Sequence, residues 1–310
     1  MLRMVKDHPL LVVEYGKYGG SEGSAVGRRK RYLVASDLHI GFEHEFAARG
    51  VRMDDGYVHE MLNELISIAR RERCDGMILL GDIKSSIRGI SREEWRSVPA
   101  FVDGLMGHVD ELYIVPGNHD SHIARLLPER ARVMRSRGMV MDDTLFIHGH
   151  TLPDMEQVMG MGVRRVVMGH MHPTLAVRDS ILSGERVWLI LKTIYQRNHD
   201  DYDHYCDHDT TAASHGKGSV MHGSGSSSSS SNSSSKRTVT DGLSIIVMPT
   251  LNRHIASLHR SYSRGRTLAP LLRWLTGSGH TVRAMVLTLD GSLVMDGGLD
   301  EAMGMIYVMP

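Results

Sequence analysis

The chain has 310 residues, of which 36 are basic and 36 are acidic, so its formal net charge is zero. This balance argues against a protein that coats nucleic acid through many phosphate contacts, although it leaves room for a local basic groove. The only two cysteines, Cys74 and Cys206, stand far apart and offer no disulfide framework. The chain has neither the apolar stretch of a signal peptide nor the roughly 18 apolar residues of a membrane span. We therefore expect a soluble, cytoplasmic protein without a membrane partner.

The first half of the chain alternates apolar runs, which predict strands, with amphipathic stretches, which predict helices. The predicted strands cover residues 10–15, 31–36, 77–80 and 111–115. A helix is predicted over residues 54–73, with Asp54 as its cap. Ser91 and Glu94 have the spacing of a capping box, which predicts a second helix that ends near Met106.

The second half of the chain is richer in predicted strands and hairpins. They cover residues 139–147, 165–168, 187–191, 244–248, 283–289 and 292–295. Asp142-Asp143 marks the turn of the first hairpin, and Asp290-Gly291 is a strong two-residue turn signal for the last. Helices alternating with strands, followed by hairpins, predict an α/β fold in which two packed sheets are flanked by helices.

One segment, residues 198–241, departs from this pattern. It contains histidines and aspartates followed by an almost unbroken serine tract over residues 224–235. Such a composition cannot bury enough apolar surface to offset the entropy of ordering. We expect a single domain over residues 1–310 in which 198–241 is a disordered insertion in a surface loop. A loose metal-binding role for its His/Asp-rich half is the alternative.

Five short motifs with metal-ligand side chains each follow a predicted strand. They are Asp37-x-His39, Gly81-Asp82, Gly117-Asn118-His119-Asp120, His148-Gly149-His150 and Gly169-His170-x-His172. Any one of the 19 histidines is by itself an unremarkable core or surface residue. Carboxylate, amide and imidazole groups delivered together by five strand ends are typical of a two-metal hydrolytic centre.

The spacing within the motifs suggests a role for several side chains. Asp37 and His39 are two residues apart, so in an extended strand they would face one cation together. Asp82 has two carboxylate oxygens and can bridge two ions. His119 is expected to point toward the substrate, and Asp120 to orient its imidazole ring and hold its tautomer.

The five motifs resemble the pattern of the calcineurin-like metallophosphoesterase superfamily: D-x-H, G-D, G-N-H-[D/E], a single H, and G-H-x-H. Every element of the pattern is present between Asp37 and His172. The resemblance implies a four-layer α/β/β/α sandwich of two mixed β-sheets with flanking helices. It also implies a centre of two metal ions at the carboxyl ends of the strands.

Carried over by motif, the resemblance implies two sets of metal ligands that share one carboxylate. The first set is Asp37, His39, Asp82 and His172, and the second is Asp82, Asn118, His148 and His170. His119 would then be the catalytic histidine that binds no metal. The fourth motif offers both His148 and His150. The position directly after the strand favours His148 as the ligand, which leaves His150 to line the substrate pocket.

Two further stretches resemble a narrower branch of the superfamily. These are Asp37-Leu-His-Ile-Gly-Phe-Glu43 and Met248-Pro-Thr-Leu-Asn252. The branch comprises archaeal metallophosphoesterases and bacterial phosphoesterases associated with DNA ligase and helicase genes. The serine-rich insertion and the segment after Asn252 depart from it.

The resemblance implies a hydrolase that cleaves phosphodiester or phosphomonoester bonds with a metal-bridged hydroxide. Two divalent ions are expected, with manganese as the first choice and iron or zinc as alternatives. The substrate would be a phosphoester, with DNA or a nucleotide among the alternatives. Scaffold proteins of the superfamily lack the catalytic histidine or several ligands, whereas here every position is filled. The sequence does not indicate the oligomeric state.

Overall fold

The computed structural model describes residues 1–16, 29–47, 50, 56–177, 180–196, 239–255 and 268–308. Within these ranges the chain forms two large mixed β-sheets and a separate two-stranded pair. No helix in the described ranges has the length and apolar character that a membrane crossing requires.

The first sheet has six strands in chain order. They are β1 (Leu2–Met4), β2 (Leu11–Tyr15), β3 (Lys30–Ala35), β4 (Gly76–Leu80), β5 (Glu111–Val115) and β6 (Arg132–Val133). The strands from β3 to β6 are parallel, while β1 and β2 add an antiparallel edge. All five residues of β4 are buried, as expected of a strand that is covered on both faces.

The second sheet has seven strands that are not in chain order. They are β7 (Met139–Met141), β8 (Thr144–Ile147), β9 (Arg165–Met168), β11 (Val187–Gln196), β12 (Val239–Val247), β13 (Thr281–Thr288) and β14 (Leu293–Gly298). Their order across the sheet is β14-β13-β11-β12-β9-β8-β7. The central strands β12, β9 and β8 are parallel, and the outer pairings are antiparallel. The separate antiparallel pair consists of β10 (Thr174–Leu175) and β15 (Ile306–Tyr307).

Helices cover the outer faces of both sheets. The chain has α1 (Phe42–Ala47), α2 (Tyr57–Arg71), α3 (Glu94–Met106), α4 (Met155–Gly160), α5 (Pro270–Gly277) and α6 (Leu299–Met305), and a 3₁₀ turn over Ile123–Arg125. The predicted capping box precedes α3, where the Glu94 backbone N–H donates to Ser91 Oγ at 3.1 Å. The Ser91 N–H donates in return to Glu94 Oε2 at 2.7 Å.

Three apolar cores separate four layers. In β3, Leu33 packs against helices α2 and α3, while the next residue, Val34, packs against the second sheet. In β8, Phe146 faces the first sheet, and Leu145 faces the core beneath α4 and α5. Alternating side chains therefore bury both faces of each sheet, and the predicted α/β/β/α sandwich is confirmed.

Two predicted segments extend into residues outside the described ranges. The proposed cap Asp54 lies outside the described residues, and α2 begins at Tyr57. Most of the predicted insertion also lies outside them, but its last three residues, 239–241, are the start of β12. This prediction was too long because Val239 and Thr240 pair with the end of β11, which also runs further than predicted.

Candidate metal centre

The five motifs follow five strands that end at the same edge of the sandwich. In the first sheet, β3, β4 and β5 run parallel and precede Asp37, Asp82 and Asn118. In the second sheet, β8 and β9 run parallel and precede His148 and His170. The predicted arrangement at the carboxyl ends of the strands is thus present, and both sheets contribute to it.

The charged and imidazole side chains of these motifs form two clusters, each small enough to surround one metal ion. We call them the metal-sized groups. One contains Asp37, His39, Asp82 and His172, and the other contains Asp82, His148 and His170. Within each group the candidate ligand atoms lie within 4.8 Å of one another. Asp82 belongs to both groups, and each group draws side chains from both sheets.

Asp82 lies at the middle of the centre. Its Oδ2 lies 3.7 Å from His39 Nε2 and 3.3 Å from His148 Nε2, so one oxygen faces an imidazole of each group. Its Oδ1 accepts a hydrogen bond from the backbone N–H of His119 at 2.9 Å. The carboxylate is therefore fixed by the Gly117–Asp120 motif while it faces both groups.

The first group is held together by direct contacts. Asp37 Oδ1 lies 3.0 Å from His172 Nε2, and the Nε2 atoms of His39 and His172 are 3.5 Å apart. Asp37 is fully buried, and both of its oxygens accept from the His170 backbone N–H, at 3.2 and 3.1 Å. A buried set of one carboxylate and two imidazoles that converge in this way has the donor chemistry for a divalent cation.

Strand alternation does not bring Asp37 and His39 together, so the reason given for their proximity was wrong. Both residues come after β3 has ended, and their φ angles are +59° and +48°. The same left-handed conformation occurs at Asp82, His170 and His172. This conformation costs roughly 1–2 kcal/mol for a residue with a side chain. Such strain persists where the surrounding structure fixes it, and it clusters at functional sites.

Two motif glycines are required by close packing. A Cβ atom at Gly117 would overlap the carboxylate of Asp82, and one at Gly169 would overlap the carboxylate of Asp37. The absence of a side chain at these positions lets the neighbouring backbone approach the buried carboxylates.

The geometry distinguishes the two histidines of the fourth motif. His148 is fully buried, and its Nδ1 donates to the Leu80 carbonyl oxygen at 2.8 Å, which leaves Nε2 facing the centre. That Nε2 lies 3.2 Å from Asn118 Oδ1, which brings the predicted amide ligand beside the second group. His150 is not a member of either group, although its ring centroid lies 5.3 Å from that of His148. The buried Nδ1 of His150 has no hydrogen-bond partner among the described residues.

The expected contact between Asp120 and the His119 ring is replaced by another. His119 Nδ1 donates to the carbonyl oxygen of Ser85, and its Nε2 lies 3.9 Å from Asp82 Oδ2. Asp120 instead accepts from the backbone N–H groups of Ile83 and Gly117, at 2.9 and 2.8 Å. A carbonyl fixes the tautomer of His119, and Asp120 joins the loops that follow β4 and β5.

Burial and charge together set the protonation of the metal-free centre. Burial raises the pKa of Asp82, but nearby histidines, His148 foremost, bring it well below its usual value. Burial lowers the pKa of His148, but the carboxylates of Asp82 and Asp37 raise it to about 9. Burial lowers the pKa of His39 to about 3 and that of His170 to about 4. At neutral pH Asp82 is therefore ionised and His148 is protonated, whereas His39 and His170 are neutral and can bind a cation.

Comparisons with known proteins identify the family of this chain. The family model "Calcineurin-like phosphoesterase" matches residues 30–219. No curated protein matches the chain. Among solved structures, the chain is similar to the nuclease MPE of Pseudomonas putida, with 14% identity over 84% of each chain and a TM-score of 0.41. It is also similar to YfcE, a phosphoesterase from E. coli, with 13% identity over 86% of this chain and 98% of that one and a TM-score of 0.33. Because the family model matches more than half of the sequence, this chain belongs to the calcineurin-like phosphoesterase family.

Proposed function

We propose that the protein is a phosphoester hydrolase with two divalent metal ions, acting on phosphodiester or phosphomonoester bonds. The observation that carries this proposal is the shared carboxylate of Asp82, which belongs to both metal-sized groups. A carboxylate has two oxygens, so one side chain can hold two ions at the short spacing that phosphoryl hydrolysis uses.

In this proposal each ion has four protein ligands. The first ion is held by Asp37, His39, Asp82 and His172, and the second by Asp82, Asn118, His148 and His170. The mixture of nitrogen and oxygen donors suits manganese, iron or zinc, and manganese is the first choice. When bound, the ions would supply a nucleophilic hydroxide at neutral pH and neutralise charge on the phosphoryl oxygens.

His119 is proposed as the catalytic residue that binds no metal. Its ring is 21% exposed, whereas those of His39, His148 and His172 are exposed by 5% or less. Ser85 holds its Nδ1, so its Nε2 faces the space beside Asp82. From there His119 would stabilise charge on a phosphoryl oxygen and donate a proton to the leaving oxygen.

His150 is proposed to contact the substrate. Its ring lies beside His148 and His170, with centroid distances of 5.3 and 6.2 Å, yet it belongs to neither metal-sized group. Burial, reinforced by the positive charge on His148, lowers the pKa of His150 to about 4, so the ring is neutral at pH 7. A neutral imidazole at this edge can donate one hydrogen bond to a phosphoryl or sugar oxygen.

A substrate panel tests the proposed activity. Purified protein, stripped of metal and then supplied with Mn²⁺, Fe²⁺, Zn²⁺ or Mg²⁺, is assayed on bis-p-nitrophenyl phosphate and p-nitrophenyl phosphate. We expect turnover that depends on added metal and is fastest with Mn²⁺. Cyclic nucleotides and DNA oligonucleotides then identify the class of natural substrate. The absence of turnover with every metal and substrate would support a scaffold role instead.

Manganese binding is expected to release a proton from His148. This residue must be neutral to bind a metal through Nε2, but in the metal-free protein its pKa is raised to about 9. His39 and His170 have lowered pKa values and are already neutral, so they release none. Protons therefore compete with the metal for His148 below pH 9, and this competition alone should lower the apparent affinity by about tenfold per unit as the pH drops from 8 to 7.

Isothermal titration calorimetry measures this release directly. The apparent binding enthalpy at pH 7 is compared in two buffers with different ionisation enthalpies, and the difference gives the number of protons released. We expect about one proton from His148, in addition to the one released as metal-bound water becomes hydroxide. An affinity that does not change between pH 7 and 8 would exclude His148 as a ligand that carries a proton in the metal-free state.

A further inference from the structure

The loop after β12, residues 248–252, packs directly against the loop that carries Asp37 and His39. The two loops belong to opposite sheets, since β12 lies in the second sheet and β3 in the first. The side chains of Thr250 and Asn252 are almost completely buried, at 0% and 1% exposure. Buried polar side chains in a loop are stable only where each finds a partner, so their partners show what the loop does.

Residues 250–252 donate to three successive carbonyl groups of the Asp37 loop. Thr250 Oγ1 donates to the Asp37 carbonyl at 2.8 Å, and Asn252 Nδ2 donates to the Leu38 carbonyl at 3.0 Å. The backbone N–H of Leu251 donates to the Ser36 carbonyl at 2.9 Å. The backbone carbonyls of Ser36, Asp37 and Leu38 are therefore all fixed by a loop of the opposite sheet.

The N–H groups of the same loop are fixed from the other side. Asp37 N–H donates to the Gly81 carbonyl at 3.1 Å, and His39 N–H donates to the Asp82 carbonyl at 2.8 Å. The left-handed backbone of Asp37 and His39 is thus held between two loops. Only one of these loops, the one with Asp82, carries a candidate metal ligand.

Loop 248–252 is itself fixed. Asn252 Oδ1 accepts from the His254 N–H at 3.0 Å, so both ends of its amide are used and its orientation is defined. The partly buried guanidinium of Arg186 donates through Nη1 to the carbonyls of Thr250 and Leu251, at 3.0 and 2.8 Å. A rigid loop with its donors already aligned can impose a strained conformation on its neighbour.

We propose that Thr250 and Asn252 are positioning residues that hold Asp37 and His39 in the left-handed conformation required for metal binding. They touch neither metal nor substrate and act through the backbone carbonyls of residues 37 and 38. The proposal rests on the proposed function only in taking Asp37 and His39 as metal ligands. It assigns a role to the Met248–Asn252 stretch, which has no ligand side chain in either metal-sized group.

Thr250 provides the sharper test, because valine keeps its shape and removes the hydroxyl, while serine keeps the hydroxyl. Metal-free Thr250→Val, Thr250→Ser and wild-type protein are titrated with MnCl₂ alone by calorimetry. We expect Thr250→Val to bind at least one Mn²⁺ about 10–100-fold more weakly, the usual effect of losing a group that orients a ligand. Thr250→Ser should recover most of the affinity.

Asn252→Asp tests the second contact in the same way. Aspartate keeps the acceptor for the His254 N–H but places an oxygen against the Leu38 carbonyl, so the affinity should fall as in Thr250→Val. Thr276→Val is the matched control, since the Thr276 hydroxyl also donates to a backbone carbonyl, that of Leu272 at 3.2 Å, in helix α5. It should leave the Mn²⁺ affinity unchanged whatever it does to the melting temperature.

The melting temperature of each metal-free variant separates positioning from general stability. If Thr250→Val and Asn252→Asp melt earlier but bind Mn²⁺ as tightly as wild type, the two residues are structural only and the proposal is overturned. Turnover is not part of this measurement. Wild-type protein that binds Mn²⁺ without hydrolysing any phosphoester would overturn the proposed function and leave the positioning role standing.

Discussion

Asp82→Asn is expected to abolish metal-dependent turnover of bis-p-nitrophenyl phosphate. The side chain keeps its size, so the buried site remains filled, but the shared negative charge is lost. Its amide group also places an N–H₂ near His39 or His148, whose Nε2 atoms lie 3.7 and 3.3 Å from Asp82 Oδ2. A cation between these groups would then face a donor where it needs an acceptor. Metal content by plasma emission spectroscopy should fall together with turnover.

The matched control for this variant is Asp103→Asn. Asp103 is an exposed carboxylate on helix α3, so this change removes the same charge from a place where it contacts no metal-sized group. Its metal content and turnover should equal those of wild type. Asp82→Asn protein that retains wild-type activity would exclude a bridging role for this carboxylate.

His119→Ala is expected to lower the rate by a factor on the order of 10²–10⁴, the usual contribution of a general acid. The metal content should not change, because His119 belongs to neither metal-sized group. The protein should also fold normally, since the ring is partly exposed and its Nδ1 bonds one backbone carbonyl. Rate and metal content are measured on the same preparation.

The control for His119→Ala is His59→Ala, which removes an exposed imidazole from helix α2. His59→Ala should change neither the rate nor the metal content. Loss of metal from His119→Ala would mean that His119 is a ligand and that the division of roles proposed for the centre is wrong. A rate close to wild type would show that the leaving oxygen is protonated by another group.

The sequence predicted well the parts of the fold that depend on buried strands. The strands over residues 111–115 and 165–168 were predicted to the residue, because continuous apolar runs between polar segments occur where both faces of a strand are covered. The hairpin around Asp142-Asp143 was found because these two polar turn residues separate two apolar runs. The short strands β1 and β10 were missed, since strands of so few residues carry no recognisable pattern. β10 also pairs with β15, which lies far along the chain.

Within the centre, the sequence predicted which side chains would come together but not how the backbone presents them. The left-handed conformation of Asp37 and His39 cannot be inferred from residue type, because it is imposed by hydrogen bonds from loops distant in the sequence. The hydrogen bond from His119 to the Ser85 carbonyl could not be predicted either, since every residue has a backbone carbonyl. The roles of Asp120 and Asn252 likewise depend on which backbone groups lie beside them in space.

Each metal-sized group takes side chains from both sheets, with Asp82 from the first and His172 or His148 from the second. A bound ion would therefore connect the two sheets through its ligands. Metal binding and the free energy of unfolding would then be thermodynamically linked. At a metal concentration one hundred times the dissociation constant, a single site adds about 2.7 kcal/mol to the free energy of unfolding. A cell that limits the metal would then lower the stability of this protein as well as its activity.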